Sequence, residues 1–133
     1  MKKYKESIYK TPILFLVFNR IDTTKKVFEQ IRKIRPSKLY IASDGPRESV
    51  SGEFEKVIEI RNYLESNINW DCETNTLFRK KNLGCKIAVS SAIDWFFEHE
   101  NHGIILEDDC VPTTSFFNFL EKSLNKYKND KDI

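Results

Sequence analysis

The sequence predicts an α/β sandwich in which a mostly parallel sheet of about four strands is covered by helices on both faces. Two observations carry this. Wholly apolar runs of strand length alternate with amphipathic stretches of helical length along the 133 residues. Each apolar run also ends in polar or charged residues, which a parallel sheet would gather on one rim.

The elements follow in order. "PILFLVF" (residues 12–18) is uninterrupted and bounded by proline and "NR", the pattern of a strand covered on both faces. "DTTKKVFEQIRKI" opens on an acid, spaces Val27, Ile31 and Ile34 for one helical face, and stops before Pro36. "KLYIAS" is a second strand running into "DGPRES", where Asp-Gly-Pro turns the chain. A second helix opened by Ser51 follows, with Phe54, Val57, Ile58, Ile60, Arg61 and Leu64 on its inner stripe. "NTLFRKKNLG" supplies a short third strand ending at Arg79 and a loop with Asn82 and Gly84. "KIAVSSAIDWFFEH" is a third helix with Ile87, Val89, Ala92, Ile93 and Phe96 facing inward. "GIILEDD" is the fourth strand, and "TSFFNFLEKSLNKY" a fourth helix capped by Thr or Ser. Trp70, Trp95 and the phenylalanines at 116, 117 and 119 are expected in the core. The whole is one Rossmann-like domain without internal repeats or linkers, long enough to bury about two-thirds of its unfolded surface.

Composition removes several classes of function. With 40% hydrophobic and 32% charged residues the chain is not disordered, and its net charge of +2 marks no particular partner. The lysines near both ends (Lys2, Lys3, Lys5; Lys126, Lys128, Lys131) are interleaved with acids and read as solvated tails, not a nucleic-acid arm. No run approaches a membrane span, and "MKKYKESIYK" lacks a signal-peptide core, so the expected location is the cytoplasm or its membrane face. Cys72, Cys85 and Cys110 form no C-x-x-C pair, which argues against a disulfide framework or a four-cysteine zinc site. His99 and His102 sit in "EHENHG", read as the end of a helix closed by Gly103. The only glycines are Gly45, Gly52, Gly84 and Gly103, so there is neither a dinucleotide G-x-G-x-x-G turn nor a phosphate-binding Walker loop. A Gly-x-Ser-x-Gly nucleophile elbow is missing too.

The polar strand tips point to a ligand. Strand one ends in Asn19 and Arg20, strand two in Asp44 and Gly45, strand three in Arg79, Lys80 and Lys81, and strand four in Glu107, Asp108 and Asp109. If Glu107 and Asp109 share a face about 7 Å apart, their repulsion is about 2 kcal/mol at a surface dielectric. A hard divalent cation relieves it, and such ions keep coordination positions for phosphate oxygens. Arg20 and the basic run suit phosphate directly. A nucleoside diphosphate fits both demands. Plainer readings exist for each residue alone: Asp44 as a turn former, Asn19 and Arg20 as loop polar groups, Asn82 as part of an ordinary helix entrance. Asp108 and Asp109 would gain about 0.3–1 kcal/mol from the dipole of the helix that follows, which does not cover three adjacent acids.

Taken together, "PILFLVFNRIDTTKKVFEQIRKIRPSKLYIASDGPR", "NLGCKIAV" and "GIILEDDCVPTTSFFNFL" resemble the GT-A-type nucleotide-diphospho-sugar glycosyltransferases. The nearest likeness is to the N-acetylglucosaminyltransferase I-like group, with its Glu-Asp-Asp form of the DXD motif. The resemblance runs from about residue 11 to residue 125 and implies Mn²⁺ or Mg²⁺ as cofactor. It implies Arg20 at the diphosphate, Asp44 at the uracil edge, Glu107 at the ribose, Asp108 at the donor sugar and Asp109 on the metal. Asn19 and Asn82 would lie beside the nucleotide. The implied reaction transfers a sugar from a nucleotide-sugar donor, a UDP-sugar foremost, to an acceptor hydroxyl, with inversion. A GT-A domain ordinarily continues well past this motif to build the acceptor pocket and general base. The expectation is therefore a donor-binding part lacking its acceptor-side half, with self-association through a bare sheet edge or the last helix. Two alternatives stand beside it: a non-catalytic nucleotide-sugar-binding or assembly module, and a sugar-1-phosphate nucleotidyltransferase. The latter would need a glycine-rich loop after strand one, where "NRIDTT" has no glycine.

Overall fold

A computed structural model describes residues 4–128 of the chain; Lys2, Lys3 and Lys131 of the lysine-rich ends lie outside the described residues. Eight elements alternate without exception: β1 (Ile13–Val17), α1 (Ile21–Ile34), β2 (Lys38–Ser43), α2 (Glu53–Asn67), β3 (Glu73–Phe78), α3 (Cys85–His99), β4 (Ile104–Glu107) and α4 (Thr114–Lys128). The strands form one all-parallel sheet in the order β3-β2-β1-β4. The fold is therefore the expected α/β type, Rossmann-like in its alternation of strand and helix.

Side-chain alternation along the strands sorts the core into two layers. Ile13, Phe15 and Val17 of β1, with Leu39, Ile41, Ile104 and Leu106, meet Val27, Phe28 and Ile31 of α1, Ile60 and Leu64 of α2 and Phe117 of α4. Full burial of a residue such as Phe28 or Ile31 contributes about 2 kcal/mol. The opposite face carries Leu14, Leu16, Tyr40 and Ala42, covered by Ala92 and Phe96 of α3. β1 is apolar throughout because it has helices above and below and strands on both sides, a position it shares with β2. Ile105 of the edge strand β4 is 37% exposed, because α3 packs on β1 and β2.

Several local expectations are corrected. β4 stops at Glu107, with Asp108 and Asp109 in a turn, so strand alternation does not set Glu107 and Asp109 on a common face. Ser51 does not open α2; the position before the helix is Gly52 in left-handed conformation, φ 81°. Phe54 and Ile87 are exposed rather than inward; in the first turn of α2 it is Glu53, 1% exposed, that faces inward. Of the last phenylalanines only Phe117 is buried; Phe116 and Phe119 face outward. Trp70 is in the core, its indole N–H donating to the Pro36 carbonyl at 2.8 Å, whereas Trp95 is only partly buried. α3 ends at His99 with Glu100 extended, not through a left-handed Gly103. Gly103 is needed for a different reason: a Cβ there would stand 2.3 Å from the Phe96 ring. The last helix is capped by Thr113, whose hydroxyl accepts the Phe116 N–H at 3.1 Å.

Candidate functional site

The order in which strands are added to the sheet reverses between β1 and β4. After β3 the chain recrosses the sheet and adds β4 on the far side of β1. The carboxyl ends of adjacent strands diverge at such a point and leave a crevice. Here a cavity of about 410 Å³ opens at that edge, floored by Leu16, Val17 and Ala42 and walled by the strand tips and the first turn of α3.

Of the residues expected at a site, Asn19, Arg20, Asp44, Asn82, Glu107 and Asp108 all line this cavity. Asp109 does not line it, but Arg20 Nη1 stands 3.8 Å from an Asp109 carboxylate oxygen across the β1/β4 crevice. Both side chains are more than half exposed, so the pair is a loose surface contact contributing about 0–1 kcal/mol. Asp108 is half-buried in the turn. Its carboxyl pKa is pushed up mainly by burial, opposed by the Arg20 charge and reinforced by Asp109.

The β2/β3 side is built differently. Asp44 Oδ1 accepts the backbone N–H groups of Gly45 at 2.8 Å and Leu83 at 2.9 Å, while Oδ2 accepts Gly84 N–H at 3.2 Å and the Asn82 amide at 3.1 Å. Asn82 donates further to the Gly45 carbonyl at 2.7 Å. Gly45 is required by close approach: a Cβ would lie 2.5 Å from the Lys81 carbonyl carbon and 2.7 Å from that of Lys80. The carboxylate of Asp44 thus fastens the β2 tip to the loop before α3. Asp44 and Asn82 face the cavity with most of their polar capacity already engaged within the chain.

Three arginines that sequence reasoning left unassigned or in passing complete the edge. Arg61 on α2 is 9% exposed and has no carboxylate in contact; its Nε donates to Ser43 Oγ at 3.0 Å and its Nη2 to the carbonyls of Ser43, Asp44 and Arg79 at 2.8–3.2 Å. Its guanidinium also lies 4.9 Å from the Phe78 ring centroid. Burial lowers its pKa, against the pull of Asp44. Arg79 reaches from the β3 tip to Ser91 Oγ at 2.8 Å. Arg47 borders the cavity and is ion-paired with Glu53, which is 1% exposed. Glu53 also accepts the Asn19 amide at 3.1 Å. Its carboxyl is held down to about 2, chiefly by the hydrogen bonds from Arg47.

Among the described residues no group of three Cys, His, Asp or Glu side chains is arranged to hold a metal unaided. The carboxylates of Glu107, Asp108 and Asp109 are nonetheless hard oxygen donors, the chemistry of Mg²⁺ and Mn²⁺. A single carboxylate, with ligand phosphate oxygens and water, suffices for such ions. The three cysteines are free thiols, and no described helix is long and apolar enough to cross a membrane. The chain matches no protein-family model, no curated protein and no solved structure.

Proposed function

We propose that the cleft at the β1/β4 reversal binds a nucleoside-diphosphate sugar together with Mn²⁺ or Mg²⁺, as the donor site of a GT-A-type glycosyltransferase acting in the cytoplasm. The observation that carries this reading is the meeting of Arg20 with the acid turn across the crevice, 3.8 Å from Asp109, at the mouth of a 410 Å³ cavity. A diphosphate and a divalent ion supply the two charges that this arrangement leaves poorly balanced.

In that reading Arg20 contacts the diphosphate, Asp109 holds the metal, and Glu107 and Asp108 face the ribose and the sugar. Asp44 and Asn82 keep the base-side wall rigid as well as bordering the base. The metal when bound acts as a Lewis acid on the departing phosphate oxygens. Arg20 contributes to the same end as a fixed cation, stabilising charge that grows as the sugar–phosphate bond lengthens. An acceptor hydroxyl attacks the anomeric carbon and must lose its proton to a base.

The decisive measurement is calorimetric titration of the full chain with UDP, with and without Mn²⁺. Binding should be at least about tenfold tighter with metal, and Asp109→Ala should erase that difference. Absence of metal-dependent binding, or an Asp109→Ala protein that behaves as wild type, overturns the proposal.

One observation favours a second reading, a nucleotide-sugar-binding module without transfer. The acids lining the cavity are Asp44, Glu107 and Asp108, and Asp44 is spoken for by four donors. A chain that binds UDP with metal yet neither hydrolyses nor transfers a UDP-sugar would select this reading.

A further inference from the structure

The ion pair of Arg47 with Glu53 is more elaborate than charge neutralisation requires. Glu53 sits at the first position of α2 with its carboxylate turned back beneath the β2–α2 loop. It accepts the Arg47 backbone N–H at 2.7 Å, Nε at 2.9 Å and Nη2 at 2.6 Å, and on the other side the Asn19 amide at 3.1 Å. The guanidinium is therefore gripped in bidentate fashion from one edge. Its Cζ stands 5.8 Å from the Phe18 ring centroid, which limits its swing on the β1 side. Glu53 uses the Nε–H and one Nη2–H; the Nη1 amino group and the other Nη2–H remain for a ligand. The Arg47 side chain is 51% exposed and borders both the main cavity and an adjoining one of about 440 Å³ that Lys80 and Lys81 also line.

We infer that Arg47 is an anion-contacting residue of the cleft and that Glu53 is its positioning residue, so that a phosphate oxygen of the bound nucleotide is met by a guanidinium fixed in advance. The inference rests on the donor-site reading for the identity of the ligand, but its geometry does not depend on the acid turn or on metal. A clamped arginine loses little side-chain freedom when the anion arrives, which is what makes it a better phosphate contact than the free lysines next to it. Through Asn19 the same carboxylate ties the Arg47 loop to the β1 tip, whose next residue is Arg20.

The sign of one substitution separates positioning from neutralisation. Removing an acid near an anion site strengthens anion binding by simple electrostatics; removing a positioning acid weakens it. The experiment titrates UDP, inorganic pyrophosphate and uridine, each with Mn²⁺, into wild type, Arg47→Gln, Arg47→Lys and Glu53→Gln, with circular dichroism confirming the fold of each. Arg47→Gln should weaken UDP and pyrophosphate about tenfold or more and leave uridine unchanged. Arg47→Lys should recover only part of the loss, and Glu53→Gln should weaken both anions several-fold. Anion affinities within about twofold of wild type in Arg47→Gln overturn the inference while leaving the donor-site reading intact. Tighter anion binding in Glu53→Gln reduces Arg47 to a counter-ion and overturns the positioning role. Arg47-dependent pyrophosphate binding without any preference for UDP supports the inference and sinks the donor-site reading; no binding of either anion sinks both. Should Glu53→Gln not fold, the two Arg47 substitutions, at a half-exposed side chain, still decide the anion contact.

Discussion

The two walls of the cleft are built on opposite principles. On the β2/β3 side nearly every polar group has an intramolecular partner: Asp44 takes four donors, Arg61 four acceptors, and Gly45 lies against the Lys80–Lys81 backbone. On the β1/β4 side Glu107 and Asp109 are exposed and the carboxyl pKa of half-buried Asp108 is raised, chiefly by burial, with one loose arginine contact between the walls of the crevice. The difference teaches where each wall gets its order. One is rigid before any ligand arrives; the other carries charge that a ligand would complete.

Three substitutions test the contrast, beginning with the braced wall. Arg61→Met should be the most damaging, because the buried carbonyls of Ser43, Asp44 and Arg79 lose their common donor. A loss of about 3 kcal/mol or more in chemical denaturation is expected. If Arg61→Met unfolds with the wild-type midpoint, the β2/β3 wall is not held as described. Asp44→Asn should come next. Whichever way the new amide is turned, its NH₂ faces a pair of donors, either Gly45 and Leu83 or Gly84 and Asn82. The expected cost is about 2 kcal/mol, with faster amide hydrogen exchange at Leu83 and Gly84. On the other wall, Asp109→Ala should change stability by no more than about 0.5 kcal/mol. A large loss of stability there would mean that the acid turn is part of the scaffold, and the contrast between the walls would fail.

The legible part of the molecule was its periodicity. Apolar runs such as Ile13–Val17 can only be strands covered twice over, and parallel strands deliver all their carboxyl ends to one edge. Asn19, Arg20, Asp44, Asn82, Glu107 and Asp108 therefore came together as sequence reasoning expected, while Asp109 sits just outside the cavity lining. What stayed hidden depends on side chains turning against their usual habit. Arg61 occupies the inner stripe of α2, where arginine is rarely buried without an acid, and the three carbonyls it meets at the ends of β2 and β3 explain it. Glu53 reads as an ordinary first-turn acid of a helix. Its spacing of six from Arg47 across Gly52 was the one available signal, and a spacing of six across a turn has no period to betray it. Phe54 misled for a related cause: the buried stripe of α2 runs through Glu53, Val57, Ile60, Arg61 and Leu64, so a charged residue takes the inward place in the first turn and the phenylalanine beside it faces out.

The placement of Arg61 has a consequence for the order of assembly. Its guanidinium belongs to α2, yet the acceptors it satisfies belong to the ends of β2 and β3. Until that helix docks, the Asp44 and Arg79 carbonyls lack this donor, and the Ser43 carbonyl keeps only the Arg79 backbone N–H at 3.0 Å. The rim is thus fully braced only after α2 has docked, by a single long side chain that comes from behind the sheet.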